Sequence, residues 1–251
     1  MNAPVALHGG GEFLSGDEPF LAAILASAAR PAAHGRPIRV AIVPTAAARH
    51  RPDLAAATGV AAFERTALAA GLDVEAAAVL VLDAGSAADP RLAARLEAAD
   101  LIHFPGGDPD LIPSVLRGSA AWAAIERARE RGAVVAGASA GAMALATWTW
   151  TPAGGVEGLR LVPGLIVVPH AGGGGWASAL ERFGTWAPVE LGGLGLAERT
   201  GVIADDLAPT GGSITWRVVG PGEVFWQPVR GGRTVVARAG ETITTARRMG
   251  G

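Results

Sequence analysis

The chain has 251 residues, 50% of them apolar and 18% charged, and a mean hydropathy of +0.33, which excludes an intrinsically disordered polypeptide. Its 21 basic and 23 acidic side chains leave a formal charge of −2, without the cationic excess that nucleic acid or an anionic membrane surface would demand. Cys is absent, which removes disulfides, thiolate metal sites and a cysteine nucleophile together.

All the basic residues are Arg, a coding bias rather than chemistry. No two His stand at i, i+4, so neither a metal nor a cofactor is expected. Met1 to Leu14 lacks a basic start, and its apolar run stops at His8-Gly9-Gly10-Gly11, which is a poor signal peptide. No run of 18 apolar residues exists, so no transmembrane helix, membrane partner or nucleic-acid partner is predicted, and the expected location is the cytoplasm.

In chain order, Pro4 to His8 reads as a strand, Asp17 to Ala33 as a helix and Ile38 to Pro44 as a buried strand. Leu54 to Gly71 is a helix, Val74 to Leu82 a strand, Pro90 to Ala98 a helix and Asp100 to Phe104 a strand. Helix recurs within Asp110 to Arg131, and Ala133 to Gly137 is again a buried strand. Apolar strands that do not alternate in polarity, each followed by a helix, predict a mostly parallel sheet covered on both faces. Beyond residue 150, Leu165 to Pro169 is one more strand. The runs SITWRVV, EVFWQPV and TVVARA, parted by glycine turns, predict an antiparallel meander appended to the core. With no linker or internal repeat, residues 1–251 read as a single domain, and the short C-terminal strands could pair across a homodimer.

The strongest chemical signal is Gly137-Ala138-Ser139-Ala140-Gly141, between the strand AVVAG and the helical AMALA. A nucleophilic serine on a strained strand-to-helix turn needs small flanking residues, and the Ala140 N–H is placed to meet an oxyanion. The plain alternative is a helix-capping serine. Of five His, His34 and His50 lie in Arg-rich loops and His103 inside a strand. His170 ends the strand LIVVP before Ala171 and Gly172 to Gly175, and it alone follows Ser139, which makes it the candidate base. An α/β-hydrolase runs Ser, acid, His, and Glu157 is the one carboxylate between Ser139 and His170 that could fill that order. The esterase-like HGGG at His8 lies too far upstream of Ser139, and GGG without the full G-x-G-x-x-G makes a poor nucleotide loop. A second glycine turn, Phe104-Pro105-Gly106-Gly107-Asp108, lets backbone N–H groups approach a substrate, with Asp108 as N-cap of the next helix. Glu157, Glu190, Glu198 and Asp205, with Asp206 beside it, are all open as the acid.

These segments together resemble the S51 serine peptidases, the family of α-aspartyl dipeptidase (peptidase E) and cyanophycinase. LHGGGE at 7–12, IVPTAA at 42–47, FPGGD at 104–108, GASAGA at 137–142, PH at 169–170 and GLAERTGVI at 195–203 fall in the family's order. The resemblance implies an α/β three-layer sandwich of the flavodoxin-like, class I glutamine amidotransferase-like type, mostly parallel with a short antiparallel C-terminal extension. It also implies Ser139 as nucleophile, His170 as base and Glu198 as acid, acting through an acyl-enzyme on small peptides. Gly107 and Ala140 would supply the oxyanion hole, and Gly106, Asp108 and Pro109 would touch substrate. Pro109 departs from the Gln or similar polar residue usual there and offers no N–H. The competing expectation is a non-catalytic peptide- or small-molecule-binding member of the fold, its base misplaced by the Gly172–Gly175 loop. Trp148 and Trp150 read either as a half-buried strand or as a surface for an aromatic substrate side chain.

Overall fold

The computed structural model describes residues 3–29, 35–172, 175–183, 185–205, 212–228 and 232–246. Short apolar runs form strands β1 (Val5–His8), β2 (Ile38–Ile42), β3 (Val74–Ala78), β4 (Leu101–Phe104) and β5 (Val134–Ala138). They pair in parallel in the order β1-β5-β4-β2-β3. Parallel neighbours need crossover connections, so helices cover both faces. On one face, α1 (Glu18–Ala29) and α2 (Pro52–Ala70) bury Phe20, Ile24, Leu25 and Phe63 with Val40 and Ile42. On the other lie α3 (Ala84–Ala88), α4 (Pro90–Glu97), α5 (Leu111–Leu116) and α6 (Ala120–Glu130), where Leu96, Ile112 and Ile125 join Ala41, Val43 and Phe104. Strand β2 thus feeds alternate residues to two apolar clusters, as its period of two requires.

The helix expected within 110–131 comes as two: Gly118 turns the chain at φ 69° and the Ser119 hydroxyl accepts from the Trp122 N–H to start α6. The end of the helix expected to reach Ala33 lies, with His34, outside the described residues. At the opposite edge from the site, Arg36 forks onto buried Asp100 at 2.6 and 2.7 Å, and the Arg39 N–H donates to the same carboxylate at 2.9 Å. Burial pushes that carboxyl's pKa up, but Arg36 and the Arg39 N–H outweigh it and hold it below its ordinary value.

After β5 come α7 (Ala140–Leu145), β6 (Ala146–Thr151), β7 (Gly154–Glu157), β8 (Val162–Val168), α8 (Gly175–Phe183), β9 (Gly192–Leu196) and β10 (Gly201–Ala204). The chain continues through β11 (Ser213–Val219), β12 (Val224–Gln227), β13 (Val235–Ala237) and β14 (Thr242–Ala246). Strands β10, β11 and β14 extend the first sheet beyond β1 by antiparallel pairing, giving β14-β11-β10-β1-β5-β4-β2-β3. The others build a second, mixed sheet in the order β13-β12-β9-β8-β6-β7.

The C-terminal runs are therefore not one meander: SITWRVV joins the first sheet, and EVFWQPV and TVVARA join the second. The cause is the Gly220-Pro221-Gly222 segment. Gly220 sits at φ 115° so close to Arg199 that a Cβ would lie 2.2 Å from the Arg199 carbonyl oxygen. The Gly222 N–H donates to Thr200 Oγ1 at 2.7 Å. Pinned at both points, the turn carries the chain from one sheet to the other instead of closing a hairpin. No described helix is long and apolar enough to cross a membrane.

Candidate active site

Three neighbouring strands of the parallel sheet, β1, β5 and β4, open at their carboxyl ends onto glycine-rich turns, which is where α/β sheets build sites. Ser139 stands between β5 and α7 at φ 48°, ψ −113°, a backbone conformation that costs a non-glycine residue energy. The flanking glycines are required by contact. A Cβ on Gly137 would lie 2.5 Å from the Gly141 carbonyl carbon, and one on Gly141 would lie 2.1 Å from the Phe104 carbonyl oxygen. The Ser139 N–H donates to the His8 carbonyl at 2.9 Å, and its side chain makes no cap on α7. The hydroxyl is thus free of the helix-capping duty that was the plain alternative. It meets Nε2 of His170 at 3.1 Å.

His170 follows β8 and is itself held at φ 54°. Its N–H donates to the Gly9 carbonyl at 2.8 Å, and the next N–H, of Ala171, donates to the Leu196 carbonyl at 2.9 Å. His170 is anchored on both sides before the glycine run begins; Gly173 and Gly174 of that run lie outside the described residues. Nδ1 of His170 meets Oε1 of Glu198 at 3.0 Å, and both side chains are about half exposed, at 50% and 56%. Arg199, at φ 55°, returns its N–H to the Gly10 carbonyl at 2.8 Å.

The other carboxylates weighed as the acid stand elsewhere. Glu157 pairs with Arg117 and Arg160, which hold its carboxyl below the ordinary range. Asp205 lies 4.0 Å from Arg217, Glu190 is exposed, and Asp206 is outside the described residues.

The FPGGD turn presents exposed Gly107 at φ 147°, packed so tightly on Ala46 that a Cβ would fall 2.2 Å from its carbonyl oxygen. Gly106 lies against Ser139: a Cβ there would be 3.3 Å from the Ser139 Cβ. Asp108 does not cap the following helix, which begins at Leu111 after Asp110. Its carboxylate faces Arg49 and His50, each at 3.4 Å, while Arg49 also forks onto Asp110 at 3.0 Å. Pro109 is buried and Ala140 is 2% exposed. Trp148 and Trp150 alternate with buried Thr147, Thr149 and Thr151, as a half-covered strand would; the Trp148 indole N–H donates to the Trp186 carbonyl at 2.8 Å.

Two features escaped the sequence reading. His8 and Asp17, both fully buried, stand 2.9 Å apart, Nε2 to Oδ1, without hydrogen-bond alignment, and the Gly10 N–H donates to His8 Nδ1 at 3.3 Å. Glu12, the last residue of the LHGGGE segment, accepts the Gly106 N–H at 2.8 Å. Its place directly after the glycine loop was the available signal. No group of His, Asp and Glu able to hold a metal occurs among the described residues.

The model of peptidase family S51 matches residues 7–207. The chain belongs to peptidase family S51. A crystal structure of a peptidase from an acI-B1 Actinobacterium is 25% identical over 97% of both chains, with a TM-score of 0.77. A peptidase E candidate from Listeria monocytogenes EGD-e, 14% identical, shares the fold with a TM-score of 0.51 over 95% of this chain and 99% of that one. No curated protein matches. As a family S51 member, the chain is a serine-type peptidase with the family's α/β three-layer architecture.

Proposed function

We propose that Ser139 is the nucleophile, His170 the general base and Glu198 the acid that orients it, in a hydrolase of small peptides. The observation that carries this is the continuous relay from Ser139 Oγ to His170 Nε2 at 3.1 Å and from His170 Nδ1 to Glu198 Oε1 at 3.0 Å. In this reading Nε2 takes the hydroxyl proton as Oγ attacks the peptide carbonyl, Glu198 fixes the Nδ1–H tautomer and stabilises the imidazolium, and water then releases the acyl group. The oxyanion falls to the N–H groups of Gly107 and Ala140. The Gly106 N–H is taken by Glu12, whereas the N–H of Ala140, the first residue of α7, has no partner within its helix. Ser139 comes from the first sheet, and His170 and Glu198 follow strands of the second, which supports reading residues 1–251 as one domain.

The test is product analysis by mass spectrometry, with the protein and its Ser139→Ala variant incubated with pooled dipeptides and tripeptides, β-aspartyl ones included. Serine-dependent loss of particular peptides is expected. Full activity in Ser139→Ala would overturn the assignment.

A further inference from the structure

We infer that Glu12 is the residue that receives the free α-amino group of the substrate and so selects for an unblocked N-terminus. This rests on the reading of Ser139 as nucleophile. Glu12 and Ser139 stand against the same backbone position: a Cβ on Gly106 would lie 2.9 Å from Glu12 Oε1 and 3.7 Å from Ser139 Oγ. The carboxylate is half-buried, and the Gly106 N–H is the only hydrogen bond it accepts among the described residues. One N–H occupies a fraction of a carboxylate's acceptor capacity. No Arg or His comes within ion-pair distance of it among the described residues.

Pinning the Gly106 N–H explains an oxygen at this place but not a charge. A neutral amide oxygen would hold the turn equally well, whereas an anion beside the nucleophile opposes the oxyanion that must form there. A cation brought by the substrate removes that opposition. In a peptide cleaved after its first residue, the α-nitrogen is two bonds from the carbonyl carbon under attack, so its ammonium group arrives beside Ser139 on its own. A blocked or internal residue brings none, and a carboxylate left without its cation then discriminates against it.

The test uses two peptide pools identical except for N-terminal acetylation, with the wild-type protein and Glu12→Gln, which keeps an oxygen for Gly106 and loses the charge. An uncharged fluorophosphonate reports Ser139 reactivity in both proteins. Wild type is expected to cleave the free pool and spare the acetylated one. In Glu12→Gln, kcat/KM on free peptides is expected to fall by at least about tenfold, mainly through KM, so that selectivity between the pools collapses while Ser139 still labels. Equal cleavage of both pools by wild type, or undiminished selectivity in Glu12→Gln, overturns the role of Glu12 and leaves the Ser139 hydrolase standing. A wild-type protein inert to both pools and to the fluorophosphonate overturns both. Should Glu12→Gln fail to label, Glu12→Ala takes its place in the same comparison, and undiminished selectivity there overturns the role.

Discussion

The imidazole of His170 lies directly over Gly10: a Cβ on Gly10 would fall 2.3 Å from its Cε1 and 2.8 Å from its Nε2. The first glycine loop is thus the floor on which this ring rests. It accepts the His170 N–H at Gly9 and the Arg199 N–H at Gly10, fixing the backbone at His170 and next to Glu198.

Gly10→Ala is accordingly expected to displace the ring. Gly10 also sits at φ 107°, where a side chain adds strain on the order of 1–3 kcal/mol. Misplacing a catalytic group by about 1 Å costs about 100-fold, so kcat should fall by at least that much. Steady-state kinetics with a thermal melt on the same sample checks both effects; wild-type turnover would show that the ring is not held by this floor.

Glu198→Gln keeps a side chain of the same shape but offers His170 an amide in place of an anion. A buried acid in this role is worth about 10⁴-fold in kcat. The pair here is half exposed, so solvent screens it and a loss of about 10²-fold is expected. A Glu198→Gln enzyme within twofold of wild type would return the acid to the other carboxylates.

Ser139 stores backbone strain at φ 48°. Replacing it by Gly, which adopts φ 48° freely, should raise stability relative to Ser139→Ala by about 1 kcal/mol, with both variants inactive. Chemical denaturation of the two variants side by side reads the difference. An Ala variant as stable as the Gly one would mean that the turn carries no strain.

His103 is 1% exposed, its ring centroid 5.2 Å from Phe13 and 5.5 Å from Phe63, and its Nδ1 has no hydrogen-bond partner among the described residues. Burial first, then the proximity of His8, lowers its pKa from the ordinary 6.5 to about 3. The unfolded chain therefore takes up a proton below pH 6.5 that the native state refuses until about 3, and stability is lost as pH falls through that window. His103→Leu removes this penalty, so its melting temperature should decline less than that of wild type between pH 6.5 and 4. Parallel curves would assign the acid sensitivity to other groups.

The parallel half of the molecule was legible because each of its strands is a short apolar run closed by a turn, and because the glycines of GASAGA and FPGGD sit where backbone crowding demands them. The second sheet was not, and β9 shows why. Its sequence, Gly192-Gly193-Leu194-Gly195-Leu196, has almost no strand propensity. The glycines are there because Trp226 lies on Gly192 and Trp176 on Gly195, where a Cβ would come within 2.2 and 2.5 Å of the rings. Those contacts join distant parts of the chain and leave no local pattern. Within the site, Ser139 and His170 could be read from the turn and from chain order, while Glu198 needed the family resemblance, since four carboxylates were equal on spacing. The Arg49 and His50 contacts of Asp108 bridge two loops and were out of reach for the same reason as β9.

The division of the C-terminal strands between two sheets has a bearing on synthesis. Strand β9, which leads into Glu198, takes β12 as its outer neighbour, and β10, which follows Glu198, is flanked by β1 and β11. A ribosome that has extruded Ser139 and His170 has therefore not yet delivered the strands that hold Glu198 between them. Pairing β1 with β10 also closes a loop spanning most of the polypeptide, a slow step by topology alone. The three side chains thus come together only after β9 to β12 have been made.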